Sequence, residues 1–566
     1  MTDEPPISRR AARDAARGKG SRKATAGPAQ PASERPATQP ASVPPTAAGF
    51  VQPTGAFVTP GGPTAQPTVA MGPVATDAAV AGDGAEAAPA KGGIGALLRR
   101  HPVAWSVGAG VVAFALLGTG AVFAGAAWAD RDRPAAVDSD EPVEELDRPL
   151  PAELASATRL RTCSIAPQAS DPRLGMLLGT IIRADTGEVL FDRIGDLPAP
   201  SMSATKVLTA AAAIAKVGPD YQVTTSVYEG STPGTIVLVG RGDATLSALP
   251  AGQESFYPGA PKLQTLAEAT IANYRAKYPD TPITRIVLDA TWWNPSDRWN
   301  ETWDRGELNR GTISQVTALQ VDGDRNNPRE ATSARSNDPI GRAGSAFIAA
   351  LRNADPDGET LAEDVTTVEG SAVGNVTLAE VRSQPIREWI KQMLLTNDNT
   401  LAEMLARIVS SESDAGGTAA SLQQAIAGSL MTFDVPIEGV TVVDGSGLSP
   451  ANAVPTRVMT DLMRKILIGN DGLDVVRGAM PVAGTSGMLV DRFTGDNTQG
   501  RNNVVGAAGA KGDASTLSGW FAAADGVPIA FSFTAVAEGL KAADARAALD
   551  TLTIAALRCG DNLSDN

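Results

Sequence analysis

Ser203 and Lys206 stand three residues apart in Pro198-Ala-Pro-Ser-Met-Ser-Ala-Thr-Lys206, at the head of the run Val207-Leu-Thr-Ala-Ala-Ala-Ala-Ile214. A serine hydroxyl is a weak nucleophile at neutral pH and needs a neighbouring base. The chain offers few. Its single histidine, His101, lies at the edge of an apolar span, so a Ser-His-Asp triad is excluded, as are histidine-built zinc sites. Two cysteines, Cys163 and Cys559, cannot make a four-cysteine metal centre, and no Gly-x-x-x-x-Gly-Lys-[Ser/Thr] loop is present. What remains is a lysine whose pKa is lowered by desolvation. Ser-x-x-Lys also arises by chance in a chain of this length, so its setting has to carry the reading. No metal or cofactor is expected.

That setting is a buried helix. Prolines at 198 and 200 bar a helix upstream, and Leu208, Ala211, Ala212 and Ile214 supply helix formers with an apolar face. Residues at i and i+3 share one face of the first turn, so Ser203 lies beside the Lys206 amine. The helix N-terminus offers N–H groups to a developing oxyanion. Upstream, 179–183 and 189–193 read as a hairpin around Asp185-Thr-Gly187. Strands are expected near 222–228, 235–239, 284–288, 440–443, 503–509, 516–523 and 529–535. Helices are expected near 262–278, 386–395, 399–410, 419–431 and 540–558. A hairpin first, helices in the middle, then strands and a helix imply one sheet built from both chain ends.

Composition divides the rest. Residues 1–101 are rich in Ala, Pro, Thr and Gly and poor in large apolar side chains, so a disordered tail is expected, basic at its start through Arg9, Arg10, Arg13 and Arg17. From Pro102 to Ala129 there is no charge, and about 28 residues at about 1.5 Å each reach about 42 Å, enough to cross a bilayer core. Lys91, Arg99 and Arg100 before this span and Asp130, Asp132, Asp138 and Asp140 after it predict a single-pass helix with the bulk of the chain outside the cell membrane. A cleaved signal peptide is the alternative, since Ala127-Trp-Ala129 resembles a cleavage site. Residues 130–153 read as an acidic linker and 154–563 as the globular part. The two cysteines lie near the ends of that part; an oxidising compartment allows one bridge between them, and two buried thiols are the alternative. A formal net charge of −15 argues against nucleic-acid binding.

About 190 residues separate Lys206 from Thr396-Asn-Asp-Asn-Thr-Leu-Ala-Glu403. In the penicilloyl serine transferases, Ser-x-x-Lys is followed by Ser-x-Asn and then Lys-Thr-Gly. Across residues 160–560 this sequence resembles the class C low-molecular-mass penicillin-binding proteins, the D-alanyl-D-alanine carboxypeptidase/endopeptidases, which carry such a gap. The resemblance rests on Val239-Gly-Arg-Gly-Asp-Ala-Thr-Leu246, Gln315-Val-Thr-Ala-Leu-Gln-Val-Asp-Gly323, Asn397-Asp-Asn-Thr-Leu-Ala-Glu403, Val443-Asp-Gly-Ser-Gly-Leu448 and Gly484-Thr-Ser-Gly-Met-Leu489. It implies an α/β (α+β) transpeptidase/β-lactamase-like domain, an antiparallel sheet with helices on both faces, with an insertion at about 222–380. It implies acylation of Ser203 by a peptidoglycan stem peptide, Lys206 as base, Asn399 holding Lys206 and the substrate amide, and β-lactams as covalent ligands.

The sequence departs from the family pattern twice. The second motif begins with Asn397 where the family has a serine, and an amide cannot readily relay a proton. Counting back from Ser515-Thr-Leu-Ser-Gly-Trp520, the counterpart of Lys-Thr-Gly is Ala507-Ala508-Gly509, which lacks both carboxylate-binding side chains. Lys511 stands four residues from Ala507, about 13 Å along a strand, and needs a bulge or rearranged loop to reach back. The Ala510 N–H completes an oxyanion hole beside Gly509, since that role needs backbone only. The expected function is a serine-type carboxypeptidase of reduced activity; the alternative is an inactive relative that binds peptidoglycan or a cell-wall partner.

Overall fold

Strands and helices follow the alternation and the apolar faces of the sequence, and they arrange the two chain ends around one sheet. The computed structural model describes residues 160–565, apart from 372, 373 and 375. The predicted tail, the apolar span 102–129 and the acidic stretch 130–153 lie outside the described residues. Among the described residues no helix is long and apolar enough to cross a membrane.

Numbering only the longer helices, the elements run β1 (Met176–Arg183), β2 (Val189–Arg193), α1 (Thr205–Lys216), β3 (Thr224–Glu229), β4 (Thr235–Val239), α2 (Leu263–Lys277) and β5 (Ile283–Asp289). Then come α3 (Pro339–Ala354), β6 (Leu361–Glu369), β7 (Thr377–Arg382), α4 (Ile386–Thr396), α5 (Asn399–Glu412), α6 (Thr456–Ile468) and α7 (Leu473–Ala479). The chain closes with β8 (Val505–Lys511), β9 (Ala514–Ala522), β10 (Pro528–Val536) and α8 (Ala542–Cys559). The first sheet is antiparallel in the order β2-β1-β10-β9-β8, so the opening hairpin pairs with the closing strands, Met176 opposite Val536 and Ile181 opposite Phe531. The second sheet, β6-β5-β4-β3-β7, is mixed, with parallel pairs β4/β5 and β5/β6.

Strand alternation sends neighbours of β10 to opposite cores. Ile529, Phe531 and Phe533 pack with Leu549 and Leu552 of α8, while Ala530 joins the core of α1, α5 and α6. Helices thus cover both faces of the first sheet, as expected. Helix α1 has no wet side: every residue from Thr205 to Ala213 is buried, which explains its run of small and apolar side chains.

Cys163 and Cys559 form a disulfide across a sequence separation of 396, with Cα atoms 5.4 Å apart. Such a link restricts the unfolded chain, so replacing both cysteines by serine should lower stability by about 2–5 kcal/mol. The measurement is the unfolding free energy from urea melts, with the slope expected to rise as the unlinked chain expands; an unmoved free energy would show that the bridge adds nothing.

Of two further sequence expectations, one stands with a local irregularity and one is corrected. The helix near 419–431 forms as one unbroken helical run that opens on a capping box of Thr418 and Ser421 and changes pitch along its length, 3-10 at Ala419–Ser421, π at Gln423–Ala427 and 3-10 again at Met431–Phe433. The strand near 440–443 is a single bridge, Thr441 to Ala453. Side chains take its next donors: Val442 N–H bonds Gln423 Oε1 at 2.6 Å and Val443 N–H bonds Asn452 Oδ1 at 2.7 Å.

Candidate active site

Three segments meet at Ser203. The first is its own turn, Met202–Ala204, a single 3-10 turn leading into α1. Met202 has φ +47, an uncommon value for this residue type. Gly447 buttresses it so closely that a Cβ there would stand 1.8 Å from the Met202 carbonyl oxygen. Only glycine fits.

Lys206 is 1% exposed, and its Nζ donates to Asn399 Oδ1 and to the Ser446 carbonyl, both at 2.6 Å. Burial pushes its amine down to about 8, against the opposing pull of Asp444, Glu403 and Asp398. A neutral amine has two N–H donors and one lone pair. The two acceptors engage both donors, which leaves the lone pair for the proton of the serine one turn away.

The lysine is in turn held by the loop around Ser446. The Ser446 N–H donates to Glu403 Oε1 at 2.8 Å, while buried Asp444 accepts from Gly447 N–H, Ser449 N–H, Trp303 Nε1 and Asn452 Nδ2. Burial and the neighbouring Asp444 push the Glu403 carboxyl up to about 8.

The second segment joins α4 to α5. Asn397 caps α4 in the left-handed region (φ 55, ψ 39), a conformation that asparagine adopts more readily than serine. Asp398 caps α5 by accepting from Leu401 N–H, and its Oδ2 accepts from Arg325 Nη2 at 2.8 Å and the Tyr257 hydroxyl at 3.1 Å. Burial works to raise the Asp398 carboxyl, but Arg325 and Arg335 hold it below its ordinary value. Asn399 also donates from Nδ2 to the Thr312 carbonyl at 3.2 Å.

The third segment is the edge strand β8. A Cβ on Gly509 would lie 2.6 Å from Met202 Cβ and 2.8 Å from Ser203 N, so glycine lets the strand lie against the serine. Gly506 N–H bonds the Pro481 carbonyl off the sheet edge. Donor direction repeats every two residues, so Ala510 N–H leaves by that same edge, and Ala510 lines one cleft of about 210 Å³ with Ser203, Asn397 and Asn399.

Ala507 and Ala508 are buried in the two opposite cores, so no side chain of the counterpart motif enters this cleft. Lys511 does enter it. The β8/β9 register is unbroken and no bulge carries Lys511 back; from the strand's end its Nζ comes within 3.4 Å of Glu307 Oε1 and of the Leu448 carbonyl. Sequence reasoning does not find Glu307, Thr312 or Ser446. Residues 204 positions apart meet here, and a backbone carbonyl leaves no side-chain signal; the only hint is the Val443–Leu448 stretch.

A serine beside a buried lysine, set against an edge strand with an outward N–H, has the parts of a serine–lysine acyl-transfer site. The profile of the D-Ala-D-Ala carboxypeptidase 3 (S13) family matches residues 162–333 and 325–556, and the chain belongs to that family. It is 32% identical over 376 residues to the carboxypeptidase DacB of Mycolicibacterium smegmatis, covering 65% of this chain and 76% of that protein. It is 27% identical over 448 residues to the D-alanyl-D-alanine carboxypeptidase of Actinomadura sp. (strain R39), covering 64% and 78%. Its fold is similar to that of penicillin binding protein 4 from Haemophilus influenzae, with TM-score 0.55 and 17% identity over 69% of this chain and 97% of that one.

Proposed function

We propose that this protein is a serine D-Ala-D-Ala carboxypeptidase/endopeptidase acting on peptidoglycan stem peptides. The observation that carries the reading is Lys206, buried, lowered to about 8, with both donors of its neutral form engaged. Ser203 Oγ attacks the carbonyl carbon of the penultimate D-Ala while Lys206 Nζ takes its proton. The N–H groups of Ser203 and Ala510 receive the oxyanion. The C–N bond then breaks, the proton passes to the leaving amine, and water cleaves the resulting ester. Asn397 cannot relay that proton, and the counterpart motif at Ala507 and Ala508 offers the terminal carboxylate no side chain. Two lost hydrogen bonds to a charged group, at about 1.5–3 kcal/mol each, set turnover about two to four orders of magnitude below that of an intact site.

The test is covalent labelling with a fluorescent penicillin, together with D-Ala release from a stem pentapeptide. A β-lactam complex of the H. influenzae protein, similar to this chain with TM-score 0.51, supports the choice of probe. A slow adduct and slow release, both lost in Ser203→Ala, are expected. Neither signal in the native protein would favour a non-catalytic peptidoglycan binder, a reading supported by the two alanines of the counterpart motif.

We further propose that the domain lies outside the cell membrane, anchored by residues 102–129. The Cys163–Cys559 bridge supports an oxidising compartment. Protease added to intact cells should remove the chain beyond Asp130; full protection would overturn this placement.

A further inference from the structure

Behind Asn397 lies a second cavity, of about 170 Å³, separated from the acyl cleft only by Thr312, Asn397 and Asn399, which line both. Two guanidinium groups form its wall, Arg325 and Arg335, 2% and 6% exposed. Buried charges are ordinarily paired. Arg325 is paired, with Asp398 at 2.8 Å. Arg335 is not: its Nη1 and Nη2 donate only to the carbonyls of Gly323 and Gly311, at 2.7 and 3.2 Å. Its Nε is buried with no partner among the described residues. The two carboxylates whose charge acts on it are committed elsewhere, Asp398 to Arg325 and Tyr257, Asp324 to Arg342 and Ser336. Burial and the like charge of Arg325 push the Arg335 guanidinium down to about 10.

The remaining walls include the Asp398 carboxylate, already paired with Arg325 and Tyr257, the Phe256 ring and a set of neutral donors. No hydrogen bond engages the Asn397 amide or the Thr332 hydroxyl among the described residues, and Thr332 is exposed, so the cavity opens to solvent. An uncompensated guanidinium facing an amide and a hydroxyl suits a planar anion, because a carboxylate accepts on two oxygens and supplies the missing charge. The volume admits a group no larger than a free amino acid or the end of one side chain.

We propose that this cavity is a carboxylate-binding subsite, separate from the serine cleft and sharing Asn397 with it. The carboxylate comes either from a small free acid such as D-alanine in solution or from the acyl side of the peptide substrate. Only the second source rests on the function proposed above. Occupancy turns the Asn397 amide toward the cavity, so the subsite also sets how Asn397 faces the acyl cleft.

The experiment uses the full chain. Thermal unfolding is followed while acetate or D-alanine is titrated, with acetamide and D-alaninamide as controls lacking the carboxylate and chloride holding ionic strength constant. At about ten times Kd, acetate or D-alanine should raise Tm by about 2 °C, and the controls should not. Arg335→Met should abolish the shift. Because this variant removes a buried side chain and can fail to fold, Thr332→Val is the second, expected to weaken binding about 5-fold by removing one neutral hydrogen bond. The peptide arm compares D-Ala release from two stem-peptide analogues whose acyl-side carboxylate is free or amidated. A loss of about 10-fold on amidation, reduced to about 2-fold in Thr332→Val, assigns the subsite to the substrate. Equal rates with a D-alanine shift assign it to the free acid. An inactive protein that still shows the shift overturns the proposed function and leaves the subsite standing. No shift with either acid together with equal peptide rates, or a shift unchanged in both variants, overturns the proposal.

Discussion

Replacing Lys206 with methionine should slow penicillin acylation of Ser203 by about 10²–10⁴-fold, the range in which a positioned base contributes. In the native protein the rate should climb with pH until about 8 and then level, as the amine loses its proton. The variant should show no such limb. Unfolding is not the cause of the loss. The folded-state pKa lies below the ordinary value of 10.5, so below pH 8 the native fold carries a buried cation at a cost of about 3 kcal/mol. Between pH 8 and 10.5 the unfolded chain keeps the proton that the folded one has released, so stability rises with pH across that window. Methionine removes the cost but leaves Asn399 Oδ1 and the Ser446 carbonyl without their donor, at about 1–3 kcal/mol each. The two effects offset, and Tm at pH 7 should move little while activity collapses. A variant that acylates at the native rate with an unchanged pH profile would remove Lys206 from the chemistry.

Gly509→Ala should have the next largest effect. An added Cβ 2.6 Å from Met202 Cβ and 2.8 Å from Ser203 N forces backbone to move, since neither neighbour is a flexible side-chain end. Strand β8 is an edge strand and yields outward, taking the Ala510 N–H with it. Misplacement of a reacting geometry by about 1 Å costs about 10²-fold, and acylation should slow by that order. Gly478→Ala is the control: it sits in α7 with nothing within 4 Å of the added atom, and its acylation rate should be native. Equal rates in the two variants would show that β8 does not wall the serine.

Much of this geometry is written in side-chain pattern. Lys206 bonds Asn399 as the family resemblance implies, Ser203 stands one turn from Lys206, and the closing strands follow plain alternation. The pieces that stay hidden are those that pattern does not encode. The Ser446 carbonyl and the Ala510 N–H belong to the backbone, so only the glycines at 447 and 509, with their unusual closeness to Met202, betray them. Glu307 and Lys511 meet through tertiary packing alone. In the second sheet, β6 escapes a sequence reading because most of its side chains are exposed and show no apolar period. Helix α6, by contrast, is absent from the expected elements although its apolar stripe at Val458, Met459, Leu462, Met463 and Ile466 behind Pro455 is readable.

Because β1 pairs with β10, synthesis and assembly are out of step. Ser203 and Lys206 leave the ribosome about 300 residues before Ala510, and β1 waits for a partner about 350 residues further along the chain. Loop closure over such a distance must precede any reward from pairing, so folding is slow and concludes only when both ends of the domain are present. The nascent protein therefore holds its nucleophile without an oxyanion hole. The oxyanion site is complete only once β8 has paired, and a copy cut short before β8 lacks the Ala510 N–H.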